Sequence, residues 1–261
     1  TVRRRNSRMT LNELDVYFKS FLKPENFLSD SSRNGIQIQN SAPDKTPVTK
    51  IAFAVDACEQ TALAAAKAGA QLLFVHHGLF WGACETVTGH VYKRYRAFLQ
   101  NDVALYACHI PLDANNPYGN NYGLASRIGL TNCAPFGEWR GMEIGVKGEL
   151  IAPVSVEELA SRALLPGEKP ACILPFGKKD IRTVGIISGG AGEDWVQASD
   201  AGLDAFITGE VQHEQYHCIQ ENGINVIAGG HYRTETVGVN LVREKVEKEL
   251  KIDTIFIDIP T

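Results

Sequence analysis

The chain has 261 residues, 44% of them hydrophobic and 21% charged, with 24 Gly and 11 Pro. That balance excludes disordered and collagen-like classes and leaves enough apolar residues for one large α/β unit or two lobes of modest size. A formal net charge of -4 offers no clustered basic surface, so nucleic acid is not an expected partner.

The start, TVRRRNSR, is basic and runs into an amphipathic stretch over 11–21, with Leu11, Leu14, Phe18, Phe21 and Leu22 at helical spacing. It lacks the apolar core of a signal peptide, and Met9 reads as the natural start behind a ragged tail. A polar stretch follows, in which Asn34-Gly35 signals a turn ahead of Ile36 and Ile38 alternating with Gln. A strand, helix, strand, helix, strand rhythm then covers 51–55, 59–68, 72–75, 92–99 and 103–107, the signature of parallel crossovers. After a connecting region with a helix expected over 156–164, the rhythm returns. Strands are expected at 184–187, 205–207 and 224–228, and helices at 194–201, 213–221 and 237–250. Ala68-Gly69 aligns with Ala201-Gly202, which suggests two related halves, although any doubly wound fold has a repetitive look.

The longest apolar runs, such as 72–75 and 224–228, are far short of the ~20 residues a membrane helix needs. Cys58, Cys84, Cys108, Cys133, Cys172 and Cys218 stand singly, without a C-x-x-C pair. Reduced thiols and a cytoplasmic location are therefore expected, with no membrane partner.

Chemistry-bearing residues gather where strands are expected to end, and ligands of open parallel sheets bind at that end. The 72–75 strand runs into His76-His77-Gly78, and adjacent strand residues face opposite ways, so the two imidazoles meet only if the chain turns at Gly78. One surface and one core histidine is the plainer reading of that pair taken alone. The 103–107 strand runs into His109-x-Pro111-x-Asp113, with Asp113 expected in a loop because proline stops helix and strand alike. The 224–228 strand runs into Gly229-Gly230-His231 with Glu235 four residues on, and if a helix opens at about Tyr232 to Thr234 the two lie on one side of its first turn. The same imidazole-then-carboxylate spacing thus follows equivalent strands of both halves. If the halves face one another, one crevice collects His76, His77, His109, Asp113, His231 and Glu235.

Imidazoles and carboxylates without thiolate suit Zn, Fe, Mn, Ni or Co better than Mg or Ca. So many groups exceed the needs of one ion, whereas a bridged pair at ~3.5–4 Å would use them. His213-Glu214-Gln215-Tyr216-His217 matches the H-E-x-x-H of zinc proteases, but no third ligand follows at the required spacing, and chance explains so short a match. Ser188-Gly189-Gly190 ends a strand and precedes a helix, so its amides could cradle an anion or simply form a tight turn.

Asn34-Gly35-Ile36-Gln37, His76-His77-Gly78, His109-x-Pro-Leu-Asp113-Ala114 with Gly119-Asn120-Asn121, Ser188-Gly189-Gly190, Ile207-Thr208-Gly209-Glu210 and Gly230-His231-Tyr232-x-Thr234-Glu235 occur in one order from about residue 10 to 258. Together they resemble the Nif-three-like family, the GTP cyclohydrolase I type 2 homologues, in its short bacterial form. The resemblance implies two divalent transition-metal ions held by His76, His77, Asp113, His231 and Glu235, with Glu235 bridging and His109 a close neighbour. Beside those ligands His109 is the catalytic candidate for proton transfer to a leaving group, the alternative being a histidine that only orients Asp113. It also implies a toroidal homohexamer and hydroxide attack on a guanine ring. An open metal pair brings more positive charge than Asp113 and Glu235 return, so the implied substrate is a small anion such as a purine nucleotide.

The expected fold is α/β, with two related α/β halves whose mostly parallel sheets face one another across a metal site. The halves cover 1–135 and 181–261, the connecting region covers 136–180, and all three form one compact unit. The expected function is a dinuclear metal-dependent hydrolase; the alternative is a metal-binding regulatory or scaffold protein without catalysis.

Overall fold

A computed structural model describes residues 9–261. Residues 1–8, and with them the tail expected ahead of Met9, lie outside the described residues. The elements run α1 (Leu11–Leu22), β1 (Gly35–Ile38), β2 (Lys50–Asp56), α2 (Glu59–Lys67), β3 (Leu72–His77), α3 (Gly89–Gln100), β4 (Ala104–Ala107) and the single turn α4 (Ile110–Asp113). They continue through α5 (Asn120–Ile128), β5 (Leu130–Trp139), β6 (Met142–Val154), α6 (Val156–Ala163), β7 (Cys172–Pro175), β8 (Ile181–Ile186), α7 (Trp195–Asp200) and β9 (Ala205–Thr208). The last are α8 (Gln215–Asn222), β10 (Asn225–Ala228), α9 (His231–Leu250) and β11 (Asp253–Phe256). None of these helices is long and apolar enough to cross a membrane.

Two compact units result, residues 9–112 with Val239–Thr261, and Asp113–Gly238. The first holds a five-stranded sheet in the order β1-β4-β3-β2-β11, parallel except where β1 pairs with β4 at the edge. Its central strands β2, β3 and β4 are buried on both faces, as parallel strands between helices must be. On one face Ala52, Ala54, Leu73, Val75 and Leu105 pack with Ala62 and Ala65 of α2 and Phe98 of α3. On the other, Phe18 of α1 lies with its ring centroid 5.0 Å from that of Phe74 and 4.9 Å from that of Tyr106. Helix α1 reaches that face because a reciprocal Thr10–Glu13 capping box starts it, and its buried Leu11, Leu14, Phe18 and Leu22 form one stripe.

The second unit holds a six-stranded sheet in the order β5-β6-β8-β9-β10-β7. Here β8, β9 and β10 are parallel, and β5, β6 and β7 join antiparallel at the two sides. These antiparallel strands are a finding beyond the expected rhythm, and much of the segment read as connection is sheet. Their sequence signal is weak because β5 and β6 expose many side chains and are broken by Pro135, Gly145 and Gly148. The glycines are required by close approach: a Cβ at Gly145 would come within 2.5 Å of the Ile186 carbonyl oxygen, and one at Gly148 within 2.6 Å of that of Thr131.

Two boundaries differ from expectation. Asp113 closes the α4 turn instead of lying in a loop, since Pro111 occupies the first helical turn, where no amide donor is needed. Helix α9 begins at His231, just ahead of the opening considered at Tyr232 to Thr234 and six residues ahead of the 237–250 pattern, because Gly230 at φ +102° turns the chain directly from β10 into the helix.

Candidate metal centre

In the first unit, the carboxyl ends of β2, β3 and β4 lie side by side. Side chains alternate along β3, so His76 shares a face with Phe74 and His77 shares one with Val75. Both residues still belong to the strand, and no turn at Gly78 is needed for them to meet. They lie where the sheet stops, and one ring nitrogen of each of His76, His77 and His109 lies within 4.8 Å of the others. Gly78 serves a different purpose: a Cβ there would come within 2.4 Å of the Gln37 amide, which accepts from the Leu79 N–H at 2.6 Å.

Each imidazole of this trio is oriented through Nδ1. His76 Nδ1 lies 3.0 Å from the Cys108 carbonyl oxygen and His77 Nδ1 lies 2.8 Å from Asp56 Oδ1. Register explains the second contact, because Asp56 of β2 is the direct partner of His77 of β3. His109 Nδ1 lies 3.0 Å from Oδ1 of Asp30, whose side chain is fully buried. Burial pushes the Asp30 carboxyl up, but hydrogen bonds from His109, Asn34 and Ser32 outweigh it and hold the group below the usual carboxylate range. With Nδ1 engaged in all three rings, Nε2 is the nitrogen each has left to offer, the arrangement that carboxylates and carbonyls impose on metal-binding histidines.

In the second unit the ends of β8, β9 and β10 carry Ser188-Gly189, Gly209-Glu210 and Gly229-Gly230-His231. The Gly209 N–H donates to the Gly189 carbonyl at 2.9 Å and the Gly230 N–H to the Gly209 carbonyl at 2.9 Å, so the three ends are stitched together. His231 Nδ1 bonds to Glu210 Oε1, while Nε2 lies 3.2 Å from Oε1 of the buried Glu235 one turn along α9. The Glu235 contact raises the His231 pKa; burial opposes it and Glu210 adds to it, with a net value of about 9. A proton joins this imidazole and carboxylate, and the same two donors fit a divalent cation in its place. Gly189 lets them approach, since a Cβ there would come within 2.2 Å of Glu235 Oε1.

Asp113, also buried, accepts from Asn120 Nδ2 at 2.8 Å and from Ser188 Oγ at 3.0 Å through Oδ1. The anion cradle suggested at 188–190 is a turn built on internal bonds. The Ser188 N–H donates to Asn121 Oδ1 at 2.7 Å and the Gly189 N–H to Thr234 Oγ1 at 3.1 Å.

The H-E-x-x-H match makes no site. His213 and Glu214 precede α8, so the two histidines do not share a helix face, and His213, Glu214 and His217 are all exposed. Asp30, Asp56 and Ser188 carry contacts that sequence reading assigned to none of them. Asp56 could have been found from its place at a strand end, whereas Asp30 lies in a polar turn whose pattern says nothing of its partner.

Two α/β units with histidines and carboxylates at the carboxyl ends of their parallel strands define an α/β protein that carries candidate metal-binding clusters. The chain belongs to the Duf34/NIF3 (NGG1p interacting factor 3) family, whose model matches residues 9–261. It is similar to a Treponema pallidum protein named "GTP cyclohydrolase 1 type 2 homolog", 46% identical over 97% of this chain and 99% of that one. A protein of the same name from Archaeoglobus fulgidus is 40% identical over 97% and 99%. Among solved structures, TTHA1606 from Thermus thermophilus superposes with a TM-score of 0.87 at 35% identity, covering 97% of this chain and 99% of the other.

Proposed function

We propose that this chain is a dinuclear metal-dependent hydrolase acting on an anionic purine nucleotide. On this reading His76 and His77 of the first unit and Asp113, His231 and Glu235 of the second would hold the ions. The observation that carries the proposal is the donor set: imidazoles oriented through Nδ1 in the first unit, and a buried carboxylate paired with an oriented imidazole in the second. Borderline divalent ions such as Zn, Fe, Mn or Ni match these donors. When bound, such a pair supplies Lewis acidity and makes a water acidic enough to attack at neutral pH.

The chain's own residues do the rest. Asp56 and Glu210 orient the ligand imidazoles, and the bonds from Ser188 and Asn120 fix the Asp113 carboxylate. His109 stands beside His76 and His77, with ring centroids 5.1 and 5.7 Å away, and delivers a proton to the leaving nitrogen. The nucleotide substrate rests on the names of the relatives and on the positive charge that an open metal pair would present to an anion.

Elemental analysis of protein grown with ample metal, followed by a nucleotide screen on wild type and Glu235→Gln, tests the proposal. About two transition-metal ions per chain and a turnover lost in the variant are expected. A protein that takes up no metal, or that turns over equally well as Glu235→Gln, overturns it. Metal retained without turnover on any nucleotide would favour a regulatory or scaffold role.

A further inference from the structure

Asp30 lies in the polar turn before β1, far in sequence from every proposed ligand. Its fully buried carboxylate is nonetheless saturated with donors. Oδ1 accepts from the Ser32 N–H at 3.0 Å and lies 3.0 Å from His109 Nδ1; Oδ2 accepts from Asn34 Nδ2 at 2.8 Å and from the Ile110 N–H at 3.2 Å. Asn34 closes the circuit, since its Oδ1 accepts from the His109 N–H at 2.7 Å. The 30–34 turn therefore clasps His109 by backbone and ring together.

A carboxylate facing a ring nitrogen admits one neutral tautomer, with the proton on Nδ1 and a basic lone pair on Nε2. We infer that Asp30 is a positioning residue that locks His109 in the Nδ1–H tautomer and aims its Nε2 at the cluster formed with His76 and His77. This deepens the proposed function, because the proton-transfer role of His109 needs that nitrogen to be the one that gains and gives the proton. Nothing in the orientation argument requires an identified substrate, so the two readings can fail separately.

Asp30→Asn tests it at nearly constant volume. An amide keeps one acceptor oxygen, and if Nδ2 takes the place of Oδ1 it presents a donor to His109 Nδ1 and drives the ring proton to Nε2. If Nδ2 takes the place of Oδ2 instead, it opposes the donors of Asn34 and Ile110. Asn34→Ala is the control, since it cuts the clasp on the His109 backbone but leaves the Asp30 carboxylate facing the ring.

Long-range proton–nitrogen spectra of the full chain carrying nitrogen-15 histidine report the tautomer directly. The chain has seven histidines, and loss of one signal set in His109→Gln assigns the relevant one. The expected result is an Nδ1–H signature for His109 in wild type and in Asn34→Ala, and a shift toward Nε2–H in Asp30→Asn with chemical-shift dispersion preserved. An Nε2–H signature for His109 in wild type overturns the inference. Should Asp30→Asn not fold, the wild-type and Asn34→Ala spectra still decide. Where a nucleotide substrate has been found, Asp30→Asn should lower kcat roughly 10- to 100-fold with metal content and KM kept. Equal losses in Asn34→Ala and Asp30→Asn would mean that the turn only holds the backbone.

Discussion

His109-x-x-x-Asp113 and His231-x-x-x-Glu235 are the same words in the sequence and different devices in the structure. At the second, imidazole and carboxylate meet within one helical turn, Nε2 to Oε1 at 3.2 Å, and a glycine-lined strand end leaves room for them. At the first, the imidazole turns to Asp30 from a remote loop, and Asp113 is held by Asn120 and Ser188. Spacing of i, i+4 puts two residues on one side of a helix only if both lie in it. His231 is the first residue of α9, whereas His109 precedes α4, which is a single turn. The lesson is that a spacing repeated after equivalent strands predicts a shared location better than a shared pairing.

The comparison can be broken most severely at the ligands. His77→Ala combined with His231→Ala should abolish metal uptake while the α/β circular-dichroism signal persists, because both residues lie at strand ends outside the packed core. Unfolding of that variant would make both corners structural.

Next in size is a contrast of glycines. Gly189→Ala brings a methyl within 2.2 Å of Glu235 at φ +69°, and should cost roughly 2–5 kcal/mol by denaturant melts as overpacking adds to left-handed strain. Gly69→Ala, at φ +73° with nothing within 4 Å, should cost only about 1–2 kcal/mol. Equal costs would mean that the Gly189 approach has no packing consequence.

The orienting carboxylates come third. Asp56→Asn and Glu210→Gln should each weaken zinc binding about 10- to 100-fold in competition titrations. Asp56, the less exposed of the two, should show the larger loss; the reverse order would mean that exposure does not set the strength of these contacts.

A pH dependence sharpens the same contrast. His231 carries a pKa near 9, above its ordinary 6.5, so its proton stabilises the metal-free fold fully below pH 6.5 and that contribution is lost as pH rises through about 9. Metal must displace this proton, so zinc affinity should climb with pH until about 9 and then level. Affinity independent of pH over that range would remove the His231–Glu235 pair from the site. The smallest effect is reserved for Glu214→Gln, an exposed position whose loss should leave metal content unchanged and stability within about 0.5 kcal/mol.

Hydrophobic periodicity by itself determined the parallel strands β2, β3, β4, β8, β9 and β10, most of the helices between them, and the strand ends at which His76, His77, His109, Asp113, His231 and Glu235 would lie. Such patterns are local, and a run of buried apolar residues closed by glycine or histidine is visible in any window of about ten residues. What only the tertiary structure decided is partnership. That β11 pairs with β2, that β5 and β6 extend the second sheet, and that Asp30 and Asp56 hold His109 and His77 depends on register between segments far apart in the chain. A buried carboxylate is chosen by the donor it meets across the fold, and its own neighbours in sequence carry no record of that donor.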